Sequence, residues 1–125
     1  MSSALVWQIV RAHNSFLKTG LHGHKFSAEP GNLYNKHSYK DSGLANANSV
    51  DVTLENDTLK VSTGRTKTAN QPKKSKLVQV IKKNARRALS GIGKHVGSVR
   101  PDLKQGAQAR AAALAKSLRV KKATK

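Results

Sequence analysis

A chain of 125 residues with a net charge of +18, five aromatic side chains and no cysteine has room for one ordinary domain with a small core. Disulfides and thiolate metal sites are excluded, and cysteine usage fits a reducing interior. The charge is uneven: residues 1–57 hold five cations and five acids, whereas residues 58–125 hold nineteen cations and one acid, Asp102. A neutral globular part joined to a cationic part points to a nucleic acid or an anionic membrane. No apolar run approaches the roughly 20 residues that span a bilayer. Ala4–Val10 is also a poor signal peptide, being short and without a preceding cation.

Ser2 and Ser3 can cap a short helix running to about His13, with Leu5, Val6, Ile9 and Val10 on its buried face and Trp7 at an edge. Ser15–Lys18 and Lys25–Ala28 read as strands around Gly20–Gly23, and Glu29-Pro30-Gly31-Asn32 as a turn. All the aromatics (Trp7, Phe16, Phe26, Tyr34, Tyr39) lie in this first third, so the packed core is expected there. Val50–Leu54 and Leu59–Val61 alternate strictly around the turn Glu55–Thr58. This hairpin should face the Trp7 helix or its neighbours. A sequon at Asn56 is explained by the turn itself.

Gly64–Lys76 is polar and acid-free and reads as an extended basic linker. Leu77–Ile81 fits a returning strand or the first turns of a helix. From Ile81, apolar residues recur at intervals of three and four: Ala85, Ala88, Ile92, Val96 and Val99. Lys83, Arg86, Arg87 and Lys94 fall on the opposite side, with Lys82 near the edge. Gly91, Gly93 and Gly97 weaken this helix in isolation, each by about 1 kcal/mol, which suggests that its ordering is partly coupled to binding. Pro101 and Asp102 suit the start of a second helix, with Leu103, Ala107, Ala111, Leu114 and Leu118 as its stripe.

The expected fold is therefore α+β. A small mixed domain with a β-hairpin (1–64) precedes an extended basic linker (65–76), two basic helices (77–119) and a disordered basic tail (120–125). Phosphate contact is expected from Arg65, Lys67, Lys73, Lys74 and Lys76 in the linker. It is also expected from Lys82, Lys83, Arg86, Arg87, Lys94 and Arg100 around the first helix, and from Arg110, Lys116 and Arg119 on the second. Alanine-rich helices with scattered cations suit shape and backbone recognition of folded RNA better than base readout in DNA. The competing readings are a DNA-compacting chromosomal protein and, more remotely, a ribonuclease using His22 and His24. No nucleophile, zinc or phosphate-loop motif is present, and no cofactor or metal is expected.

Leu5–Arg11 with Ser15-Phe16-Leu17, Phe26–Leu33, Lys83–Ser90 and Arg100-Pro101-Asp102-Leu103 together resemble the family of the eukaryotic large-subunit ribosomal protein twenty-eight. The four blocks stand in the family's order and span nearly the whole chain. The chain departs from it at Gly91, Gly93 and Gly97, and in a short basic tail. The resemblance implies a non-enzymatic component of the cytosolic ribosome, assembled in the nucleolus. Its implied partners are large-subunit rRNA and neighbouring ribosomal proteins, with no membrane and no small-molecule substrate.

Overall fold

The computed structural model describes residues 2–124. In chain order they form helix α1 (Ser3–Val10), strands β1 (Leu17–Thr19), β2 (Lys25–Ser27), β3 (Val50–Glu55), β4 (Thr58–Gly64) and β5 (Lys76–Ile81), then helices α2 (Ala85–Val99) and α3 (Lys104–Ala123). The fold is α+β, as composition and patterning imply.

Helix α1 starts where the serine signal places it, with the Ser2 hydroxyl accepting from the Leu5 amide at 3.3 Å. It stops at Val10, before His13. Asn14 Nδ2 donates to the Val10 carbonyl at 3.0 Å, satisfying one of the helix end's free acceptors. Strands β1 and β2 make a separate two-stranded sheet. The turn between them is possible because His22 and Gly23 adopt φ of 56° and 75°.

The main sheet is an antiparallel meander, β3-β4-β5. Asn56 and Asp57 form its first turn, with φ of 49° and 59°, the left-handed pair that matches the twist of the flanking strands. Leu77–Ile81 belongs to strand β5 and is not helical: Leu59 pairs with Ile81, Val61 with Gln79 and Thr63 with Leu77. The basic segment expected to be extended is folded back on itself between β4 and β5. The Arg65 amide donates to the Ser75 carbonyl at 2.8 Å, Gln71 to Thr68 at 3.0 Å and Lys74 to Gln71 at 2.9 Å. Thr68 and Ser75 hydroxyls close further turns on the Lys74 and Pro72 carbonyls.

The core corrects the expectation that it follows the aromatics. It is aliphatic, and it draws on both sides of residue 64. Val50, Val52, Leu59 and Val61 from the sheet pack against Ala88, Ile92 and Val96 of α2 and Leu103, Ala107 and Ala111 near and along α3, with Leu33 completing the cluster. The hairpin thus faces α2 and α3 rather than α1. Phe26, Tyr34 and Tyr39 are exposed, and Trp7 is only half-buried. Trp7 packs instead on the rings of His37 and Tyr39, at centroid distances of 5.1 and 6.1 Å. Small residues explain the difference. Gly93, Ala107 and Ala111 are buried where α2 meets α3, a close crossing filled by small residues, and the Tyr34 ring packs only at its margin, against Gly106.

Helix α3 continues through Ala123, beyond Arg119, where a disordered tail was expected to begin. Lys121 Nζ reaches Asp57 Oδ1 of the β3–β4 turn at 2.8 Å, and two lysines in the last turn suit the helix's negative end. Lys125, also assigned to that tail, lies outside the described residues.

Candidate nucleic-acid interface

Three residues, Lys82, Lys83 and Asn84, connect β5 to α2. Asn84 sets where the helix begins. Its side-chain oxygen accepts from the Arg87 amide at 3.1 Å, and its carbonyl accepts from Ala88 at 2.9 Å. Lys82 and Lys83 therefore precede the helix instead of riding on its polar face. They flank its positive end, where the first-turn amides and the helix dipole favour anions.

Two grooves open on either side of this connector. One, of about 390 Å³, runs between β5 and α2 and is lined by Gln79, Val80 and Ile81, by Lys82 and Lys83, and by Arg87, Gly91 and His95 over a floor that includes Val61, Ala88 and Ile92. The other lies between the connector, the start of β4 and the second half of α3, where Arg119 and Lys122 join Lys82 and Lys83. The first groove has no acid in its lining. The second has Asp57, which is paired with Lys121. Five cations from two stretches far apart in sequence, 82–87 and 119–122, thus share one edge of the molecule.

The linker cations are at the other end. Arg65, Lys67, Lys73 and Lys74 project from the loop before β5, and a six-residue strand separates them from the connector by roughly 20 Å. Lys76 opens that strand. Arg86, Lys94 and Lys116 are exposed on the helices and line neither of these grooves.

Two of the expected contact residues are tied inside the protein. Arg100 grips Asp102 through Nε at 3.0 Å and Nη2 at 2.8 Å, and donates to the carbonyls of Asn48 and Lys40 at 3.3 and 3.4 Å. The hydrogen bonds from Arg100 hold the Asp102 carboxyl below its ordinary range, and the same bonds raise the guanidinium above its own. Arg110 Nη1 donates to the Asn32 and Leu33 carbonyls at 2.9 and 3.1 Å, fastening α3 to the Leu33 segment, with Asp51 at 3.9 Å.

Sequence reasoning passed over Lys122, Gly91 and His95 as interface residues. Lys122 had a signal, since it stands three residues after Arg119 on a helix. Gly91 and His95 had none, because they become groove residues only once β5 packs beside α2. His22 and His24 lie exposed on the β1–β2 turn. Among the described residues no three His, Asp or Glu side chains gather where they could hold a metal ion, and no helix is long and apolar enough to cross a membrane.

Comparison with known proteins places the chain first in a class, the ribosomal proteins of the eukaryotic large subunit. Large ribosomal subunit protein eL28 of Caenorhabditis elegans is 38% identical over 98% of this chain and 94% of its own length. The Schizosaccharomyces pombe protein of the same name is 31% identical over 98% of this chain and 96% of itself. That of Dictyostelium discoideum is 49% identical over 61% of this chain, a match spanning 57% of the relative's length. Residues 5–117 match the Ribosomal L28e protein family, and the chain belongs to that family.

Proposed function

We propose that this chain is a structural constituent of the large ribosomal subunit that holds rRNA at the β5–α2 connector. The observation that carries the reading is the convergence of Lys82, Lys83, Arg87, Arg119 and Lys122 around two adjoining grooves. Cations held on a connector and two helices form a fixed pattern of charge, which suits the phosphates of a folded RNA. Arg65, Lys67, Lys73, Lys74 and Lys76 form a second anchor at the far end of β5. Arg86, Lys94 and Lys116 add long-range attraction from the helix surfaces. Arg100 and Arg110 contribute mainly by fixing α2 and α3 to the rest of the fold, with their remaining N–H groups left for RNA. The chain works in the cytoplasmic ribosome, having been assembled with rRNA and neighbouring ribosomal proteins in the nucleolus.

Sedimentation of a cell extract with and without nuclease tests the reading directly. The protein is expected with large subunits and polysomes, retained at moderate salt. Recovery on chromatin instead would assign the same cations to duplex DNA and sink the proposal.

A further inference from the structure

The groove between β5 and α2 has features that phosphate binding alone leaves unused. Arg87, Gly91 and His95 lie one helical turn apart on a single stripe of α2. The middle of that stripe is empty: a Cβ placed on Gly91 would meet no atom within 4 Å. Glycine in an exposed helix interior costs about 1 kcal/mol relative to alanine. Here neither a positive φ nor a close neighbour within the chain requires it. Gly93 is different, because its Cβ would fall 2.2 Å from Gln108 Nε2 on α3. Further along the groove, the partly buried His95 ring forms part of the wall.

The distribution of charge narrows the occupant. The cations Lys82, Lys83 and Arg87 all stand at the connector end, whereas His95 lies two turns further along α2, about 12 Å away. Between them stand the apolar side chains of Val80 and Ile81 above the buried Ala88 and Ile92, with Gln79 beside them. A phosphate ridge of a helix would ask for cations along the groove's whole length. One phosphate at one end, a flat apolar body in the middle and a polar edge at the far end describe a nucleotide.

We propose that this groove receives a single unpaired ribonucleotide turned out of the RNA. Its phosphate rests on Lys82, Lys83 and Arg87. Its ribose and base pass over Gly91, where a side chain would stand in the way, and the base reaches the His95 ring at the groove's far end. The proposal rests on the reading that the chain binds rRNA at this connector.

The test uses the full chain and two kinds of probe. Titration with the four ribonucleoside 5′-monophosphates, and separately with inorganic phosphate, is followed through the NMR signals of Gly91, His95 and the 82–87 amides. At least one nucleotide should shift Gly91 and His95 saturably in the millimolar range, while phosphate shifts only the connector. Nucleotide shifts confined to the connector would overturn the proposal. In parallel, Gly91→Leu should bind purified large-subunit rRNA at least tenfold more weakly than the parent while unfolding at an equal or higher temperature. If Gly91→Leu binds rRNA normally but Lys82→Ala/Lys83→Ala/Arg87→Ala does not, the nucleotide groove fails and the phosphate interface stands. If the triple variant also binds normally, both fail.

Discussion

Gly64 and Gly91 interrupt regular elements for opposite reasons. At Gly64 a Cβ would lie 2.0 Å from the Ala47 carbonyl oxygen, a backbone atom that cannot swing aside. Gly64→Ala is expected to destabilise the protein by about 1–3 kcal/mol, read from urea unfolding. At Gly91 there is open space, so Gly91→Ala should stabilise the free protein by about 0.5–1 kcal/mol. If both substitutions shift the unfolding midpoint the same way, the distinction between a packing glycine and a surface glycine fails. The Arg100–Asp102 pair makes a pH-dependent claim. The folded-state pKa of Asp102 is lowered, so its stabilisation is present above about pH 4 and is lost as pH falls through the folded value. The pair is partly exposed, which limits its contribution to about 1 kcal/mol or less. Asp102→Asn should therefore unfold earlier than the parent at pH 7 and no earlier at pH 2, measured by circular dichroism. An equal gap at both pH values would rule out the ion pair as the cause.

At the scale of elements, the crossing of α2 over α3 and the sheet holds the fold together. Ile92 stands at its centre with 0% of its surface exposed. Ile92→Ala should lower stability by about 2–5 kcal/mol, through lost burial and the cavity left behind. The β5–α2 connector carries binding instead of stability, because Lys82 and Lys83 are exposed. Lys82→Ala/Lys83→Ala should leave the unfolding midpoint within about 0.5 kcal/mol of the parent. It should also flatten the salt dependence of rRNA affinity, by roughly 0.7–0.9 in the log–log slope for each phosphate that is no longer neutralised. An unchanged slope would place those phosphates elsewhere.

For the whole molecule, residues 1–64 and 77–119 share one hydrophobic cluster. Val50, Val52, Leu59 and Val61 are buried only because α2 and α3 cover them. A fragment ending at Gly64 would expose that face on a two-stranded hairpin, which is marginal in water on its own. The fragment is expected to lack a cooperative thermal transition, whereas the full chain should show one. A cooperative transition in the fragment would establish 1–64 as an independent domain. The same packing bears on helix ordering. Gly93 is buried at the contact with α3, so its conformational cost is offset by close approach of the two helices. Far-UV circular dichroism of free protein showing both helices formed would count against coupling of their order to RNA.

The hairpin, the buried face of α2 and the charge asymmetry were legible in the sequence because each rests on local information. Strict alternation, a Glu-Asn-Asp-Thr turn, apolar spacing of three and four, and a count of cations need no knowledge of distant residues. The four family blocks are equally local. The start of α2 was legible too, since Asn84 is an ordinary helix-capping residue, but the unbroken apolar spacing from Ile81 masked it. Other features depended on the tertiary structure. Leu77–Ile81 is short enough to satisfy either period, and only pairing with β4 makes it a strand. The aromatics pointed to a core that small residues at the helix crossing placed elsewhere. Arg100 and Arg110 find carbonyl partners 52 and 78 residues away, so nothing nearby marks them as clamps. The sequence alone determined how much positive charge the protein carries and on which half. Which cations stand together, and beside what, was decided by non-local packing, because β5, α2 and α3 bring Lys82, Arg87 and Arg119 to one edge only after the core has closed.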